Sequence, residues 1–353
     1  MVREGMVMSA YYGEPASACT LDKCLRRCGE IFDWQSKYPV RDMGNGKVRA
    51  AGVAMTMQGS CISNIDVGSA TVKLNEDEGT YTLIIGAADM GTGCDTILAQ
   101  MVAETMGCQV EDVTVFGADT DASPYDSGSY ASSTTYVTGQ AVVMACEELK
   151  GKLCGLAGKI LGCDAAGLTF TGEGVRRSDG TFLPLKDIAV AAQCGSTTPV
   201  HTTATYCSPV SPPPFMVGMV EIELDKETGV VEVLNTCAVA DCGTPINENL
   251  ARIQAEGGLV QGIGMALFEN VTRDSRGRIL EDSFMQYKIP SRLDMGKLRV
   301  EFEPSFEPSG PFGAKSIGEV VINTPAPAIA HAVYRATGRW HRELPITPEK
   351  IIL

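Results

Sequence analysis

The chain has 353 residues, 44% of them apolar, enough to bury a core as one large domain or as two lobes. Its 29 basic and 43 acidic residues leave a net charge of −14, which argues against a nucleic-acid-binding surface. No apolar run is long enough to span a bilayer and no charged-then-apolar leader opens the chain, so a cytoplasmic protein is expected.

Residues 1–45 read as an N-terminal arm that closes on the turn-rich "DMGNG". Within it, Cys19, Cys24 and Cys28 have a spacing that matches neither the common zinc nor the iron–sulfur patterns. Buried thiols acting as small hydrophobes are the expectation, with metal ligation as the alternative. The thirteen cysteines are scattered without a C-x-x-C pair, which suits a reducing compartment.

Residues 46–206 form the first expected lobe. "SATVKLNED" (69–77) and "GTYTLIIGAA" (79–88) alternate as two strands of a hairpin turning at "EDEG". Ile97, Met101, Val102 and Thr105 then form the stripe of a helix ending before Gly107. Val113 and Val115 begin another strand, and a second long helix runs from about Thr138 through Leu149 toward Leu161. The stretch 163–208 reads as irregular, and "CSPVSPPPFM" (207–216) as a linker.

The second lobe, 207–353, repeats the plan. A hairpin turns at "KETG", and "INENLARIQAEGGLVQGIGMALFE" reads as a helix either broken or closely packed at its glycines. Both lobes follow strand, Asp-x-Gly turn, then a helix carrying a glutamine, Gln100 or Gln254. The expected fold is α+β, two similar two-layer lobes of hairpin-rich sheet packed with helices. Two unrelated hairpin–helix units are the alternative.

Three stretches carry candidate chemistry. "GAADMGTGCDT" (86–96) follows a strand and opens a helix but lacks the G-x-G-x-x-G spacing, so a nicotinamide site is not expected. Its backbone N–H groups, with Thr92 and Thr96, would favour an anion; a plain capping turn is the alternative. "DSGSYASSTTYVTGQAV" (126–142) is dense in hydroxyls, which read first as a cap for the helix that follows. "GPFGAKSIGEVVIN" (310–323) sets Lys315 and Glu319 among glycines, as a buried, shaped loop would. If buried beside Ile317, Val320 and Val321, Glu319 would be poorly solvated and tuned toward a general base; a surface salt bridge is the alternative. His201, His331 and His341 have no Ser or Cys partner in a recognisable motif, so neither a nucleophilic triad nor a histidine metal cluster is expected.

Together these stretches resemble the molybdenum hydroxylases, the xanthine dehydrogenase and aldehyde oxidase family. "GAKSIGE" is similar to that family's G-A-K-G-x-G-E signature, and "DMGTGCDTILAQMVAETMG" to its G-Q-G-x-x-T-x-x-x-Q-x-x-A-E-x-L-G segment. "ASSTTYVTGQAV", "VADCGTPINENLARIQAEGGLVQGIGMALFE" and the terminal "NTPAPAIAHAVYRATGRWHRELPITPEKIIL" resemble further family segments in the same order.

The resemblance implies that Glu319 is the catalytic base, deprotonating a hydroxyl ligand of molybdenum. It implies that Gly91, Thr92, Gly93, Thr96, Tyr130, Ala131, Ser132, Gln254, Lys315 and Ser316 hold a molybdopterin, either as such or as its cytosine dinucleotide. None of these residues is expected to ligand the metal directly.

Thr92 stands where many relatives have glutamine, and the family's upstream G-G-G-F-G and R-x-x-G segments, iron–sulfur cysteines and flavin region do not occur. The chain is therefore expected to be the C-terminal molybdopterin-binding half, as a split subunit of the nicotinate dehydrogenase type or an excised domain. A first molybdenum-domain subunit, an iron–sulfur subunit and a flavin subunit are the implied partners. The implied reaction is hydroxylation of an electron-poor carbon of a purine- or nicotinate-like N-heterocycle, with water supplying oxygen. Aldehyde oxidation, or a non-catalytic assembly role for the isolated chain, are the alternatives.

Overall fold

The computed structural model describes residues 2–8, 13, 15–75, 79–195 and 199–352. They fold into two compact units that interleave along the chain. The first is built from Met1–Gly59, Pro212–Glu307 and Ile317–Leu353, the second from Ser60–Ser211 and Pro308–Ser316.

The first unit opens with helices α1 (Leu21–Phe32) and α2 (Trp34–Lys37) and strands β1 (Val40–Gly44) and β2 (Lys47–Met57). From Leu21 onward the expected arm is thus helix and strand instead. Leu21, Cys24, Cys28 and Phe32 recur at helical spacing and are all buried. Cys28 directs its Sγ at the carbonyls of Val217 (3.7 Å) and Cys237 (3.6 Å), so these thiols pack as small hydrophobes.

The second unit follows with β3 (Val67–Leu74), β4 (Tyr81–Ile85), α3 (Cys94–Met106), β5 (Val113–Gly117) and α4 (Gly139–Leu161). β3 and β4 form the expected antiparallel pair; Glu76 to Glu78, in the expected turn, lie outside the described residues. The stretch expected to be irregular instead forms β6 (Leu168–Phe170), β7 (Gly174–Arg177), β8 (Phe182–Pro184), α5 (Leu185–Gly195) and β9 (His201–Cys207). β6 to β8 are too short to show a period. β9 hides its alternation because its inward residues include the small Thr202 and Ala204. It pairs with β3 partly through hydroxyls, Ser69 to Thr205 at 2.9 Å and Thr71 to Thr203 at 2.7 Å.

The chain then returns to the first unit with β10 (Phe215–Asp225), β11 (Val231–Asp241), α6 (Glu248–Leu267), β12 (Lys297–Phe302), α7 (Pro325–Thr337) and α8 (Pro348–Ile352). The sheet order is β1-β2-β10-β11-β12. One face of β10 and β11 packs Phe215, Val217, Met219 and Val239 against α1. The other packs Val220, Ile222 and Val233 against Ile329, Ala332 and Val333 of α7. Covered on both faces, β10 reads as a nearly continuous apolar run.

The internal repeat is visible in the topology. In the second unit, β3 and β4 pair antiparallel, α3 follows, and β5 lies parallel to β4. In the first, β10, β11, α6 and β12 repeat that order and those directions. A further antiparallel strand flanks each, β9 on β3 and β2 on β10, and β1 extends the first unit's sheet beyond β2. Gln100 and Gln254 each occupy the seventh residue of their helices, α3 and α6.

Helix α7 lies directly on the backbone of β2. A Cβ at Gly52 would stand 2.0 Å from the carbonyl oxygen of Ala328 and 2.6 Å from the nitrogen of Ala332. Backbone cannot yield as a side chain can, so Gly52→Ala should lower the unfolding free energy by about 1–3 kcal/mol in urea titrations.

Candidate active site

In the second unit the turn after β4 closes on itself. Asp89 accepts the N–H groups of Gly91 (2.9 Å) and Gly93 (3.1 Å), both at positive φ where glycine is at ease. Partial burial works to raise the Asp89 carboxyl, but the N–H groups of Gly91, Gly93, Asp95 and Thr92 outweigh it and hold it below its ordinary value. Those two glycine N–H groups therefore face Asp89 rather than the outside. Thr92 is half-buried, and Thr96 is exposed on the first turn of α3.

Asp89, Cys94 and Asp95 bring potential ligand atoms within 4.8 Å of one another. Burial, followed by the nearby Asp89 and Asp95 charges, pushes the Cys94 thiol up to about 12.

Glycines gather the three predicted stretches. A Cβ at Gly86 would lie 2.5 Å from the carbonyl oxygen of Pro124 and 2.7 Å from Asp126 Cβ, so the turn after β4 abuts the hydroxyl-rich segment. Gly139, opening α4, would meet Met101 Sδ at 2.8 Å and Pro311 at 3.1 Å, joining α3, α4 and the third stretch. Tyr136 donates to Ser309 Oγ at 2.7 Å, and the Ser316 N–H donates to Ser60 Oγ at 3.0 Å.

The hydroxyls do not cap α4. Thr138 makes no capping bond and instead donates to Asp126 Oδ2 at 2.8 Å, while Asp126 Oδ1 accepts the Gly128 N–H at 2.8 Å. The chain enters α4 through a π-type turn over 134–138, which leaves the hydroxyls to bind their own segment. Ser133 donates to the Gly128 carbonyl (3.2 Å) and Thr134 to Ser129 Oγ (2.7 Å). Between them stands the turn Tyr130–Ser132, with Ala131 at φ 51° and Ser132 at φ 60°. The half-exposed Tyr130 phenol is held above its ordinary value, chiefly by its hydrogen bond to Asp66.

The loop at 310–316 is buried and shaped. A Cβ at Gly310 would stand 1.9 Å from the Ala314 carbonyl oxygen, and Phe312 and Gly313 both have positive φ. Ala314, Lys315 and Ser316 are at most 2% exposed. Between Ser316 and Ile317 the chain passes into the first unit.

There Glu319 begins a 3-10 turn whose Val320 and Val321 are fully buried. A Cβ at Gly258 would lie 2.2 Å from Val321 Cγ2, and one at Gly262 would lie 2.8 Å from the Ile322 carbonyl oxygen. Helix α6 is therefore continuous, and these two glycines are where it packs closely against this turn. Gln254 Nε2 donates to the Gly318 carbonyl at 3.3 Å. Glu319 itself is exposed, so the expected burial does not occur. Its neighbours enter the core while its carboxylate, accepting from Gln58 Nε2 at 3.1 Å, stays at the surface. Nothing local in the sequence signals Gln58, which lies 261 residues away.

Residues 27–296 match the family model of the molybdopterin cofactor-binding domain. The probable hypoxanthine oxidase XdhD of Escherichia coli strain K12 is 36% identical over 340 residues, covering 96% of this chain and 35% of that protein. The putative xanthine dehydrogenase molybdenum-binding subunit XdhA of the same organism is 33% identical over 359 residues, covering 96% of this chain and 46% of the relative. The crystal structure of quinoline 2-oxidoreductase from Pseudomonas putida 86 shares the fold, with a TM-score of 0.86 at 24% identity over 96% of this chain and 46% of that one. The chain belongs to the molybdopterin cofactor-binding domain family, within the molybdenum hydroxylases. It spans only 35% to 46% of the length of these curated relatives.

The residues gathered in the second unit are compatible with such a cofactor. Two consecutive non-glycine residues, Ala131 and Ser132, hold left-handed backbone, a conformation that costs about 1–2 kcal/mol each and clusters at binding sites. The flanking hydroxyls donate within their own segment but keep acceptor lone pairs, which suit pterin N–H groups.

Asp89 gives a pH-dependent signature. Its folded-state pKa is depressed, so its stabilising contribution is complete above its ordinary value of 3.8 and is lost as pH falls through the lower folded value. Asp89→Ala should unfold at lower denaturant than wild type at pH 7, and the two midpoints should converge in acid.

Proposed function

We propose that this chain is the C-terminal molybdopterin-binding half of a molybdenum hydroxylase acting on an N-heterocycle, with Glu319 as its general base. The observation that carries this reading is how Glu319 is presented. Val320 and Val321 anchor one side in the core and Gln254 holds the Gly318 carbonyl on the other, while the carboxylate remains exposed. A base needs that combination of fixed backbone and reachable oxygen.

When bound, the molybdenum cofactor supplies two-electron oxidation chemistry with water as the source of oxygen. Tyr130, Ala131 and Ser132, the turn Gly91, Thr92, Gly93 and Thr96, and the loop residues Lys315 and Ser316 would hold it. Because Asp89 takes the Gly91 and Gly93 N–H groups, that turn would contribute chiefly through Thr92 and Thr96. Gln254 acts through the loop backbone, keeping the turn that bears Glu319 in place. Glu319 then accepts the proton released as the oxygen nucleophile forms.

The relatives' names, hypoxanthine oxidase and xanthine dehydrogenase subunit, support a purine-like substrate. Relatives named as subunits, the xanthine dehydrogenase molybdenum-binding subunit XdhA and subunit gamma of the 6-hydroxypseudooxynicotine dehydrogenase complex, support partner chains: one with the first molybdenum domain, and iron–sulfur and flavin chains to receive electrons. No helix among the described residues is long and apolar enough to cross a membrane. The thirteen free thiols support a reducing compartment such as the cytoplasm.

Glu319→Gln conserves shape and removes the base. In the assembled enzyme it should lower kcat by about 10²–10⁴-fold, with molybdenum content nearly unchanged. Wild-type turnover in this variant would refute the assignment.

A further inference from the structure

We infer that Gln58 is a positioning residue for Glu319, setting the orientation in which its carboxylate takes the proton. The inference rests on Glu319 being the base. Gln58 directly follows the end of β2, where its own N–H donates to the Pro214 carbonyl at 3.3 Å and ties it to the segment entering β10. Its backbone is therefore set by the sheet, not by the turn that carries Glu319. From that fixed point its side-chain amide donates to Glu319 Oε2 at 3.1 Å.

Val320 and Val321 lock the turn into the core, and Gln254 holds the carbonyl before it, but neither restrains the rotatable bonds of an exposed glutamate side chain. The bond from Gln58 to Oε2 does, and so turns the carboxylate to one orientation. An amide suits this role because it donates without itself ionising and without neutralising the carboxylate as lysine or arginine would.

Gln58→Met keeps length and removes the donor. In the assembled enzyme it should lower kcat by about 10²-fold while KM stays within about threefold, since misplacement of a reacting group acts on the chemical step. Molybdenum content and the unfolding midpoint should match wild type. Gln58→Lys, which returns a donor but sets a positive charge against the carboxylate and so weakens it as a base, should recover little of the lost kcat. Added to Glu319→Gln, the methionine should cost nothing further, because the group it positions is already gone.

A second readout needs no turnover. In the chain itself, the Gln58 side-chain amide resonance, identified by its loss in Gln58→Met, should shift on Glu319→Gln. Wild-type kcat in Gln58→Met alongside an inactive Glu319→Gln would overturn the positioning role and leave the base standing. An unmoved amide resonance, or losses that add in the double variant, would overturn it equally. An active Glu319→Gln would remove the base itself, and the role of Gln58 with it.

Discussion

The close approach of backbone to neighbouring chain at a few glycines is the constraint on which the rest of this molecule depends. At Gly52 it seats α7 on β2, at Gly258 and Gly262 it seats the Glu319 turn on α6, and at Gly86 and Gly139 it draws together α3, α4 and two loops. Any Cβ at these points would meet atoms at 2.0–2.8 Å, closer than van der Waals contact permits. The glycines of "AEGGLVQGIG" thus weaken helix propensity in exchange for a flat face against which Val321 and Pro325 can lie. Stability and site geometry share the same atoms.

Those atoms serve two units built on one plan. Each sheet pairs two antiparallel strands, sends out a helix and returns parallel to the second strand. The link from β5 to α4 carries the hydroxyl-rich turn, and the link from β12 to α7 carries the loop with Lys315 and Glu319. Both links hold non-glycine residues at positive φ, Ala131 and Ser132 in one and Phe312 in the other.

Much of this was legible in the sequence, for reasons that also explain the failures. The stripe of Ile97, Met101 and Val102 and the two hairpins stand out because large apolar side chains repeat at the period of their element. Helix α1 escaped because cysteines, not leucines, occupy half of its buried positions. The strands of the small three-stranded sheet are too short for any period to register, and β9 turns small residues inward. Among the site residues, the motif segments marked Lys315 and Glu319, but not that burial would stop at Ser316 and leave Glu319 outside. The roles of Asp89, Asp126 and Gln58 depend on which donors and acceptors the fold delivers to them. In Gln58 that donor–acceptor pair spans most of the chain, beyond any local pattern.

The central proposal is that the segments gathered in the second unit hold the molybdenum cofactor. A crystal structure of the assembled enzyme, with molybdenum located by anomalous scattering, tests this most directly. Pterin density is predicted against Thr92, Thr96, the Tyr130–Ser132 turn and the Lys315–Ser316 loop. Cofactor density that touches none of these segments would contradict it.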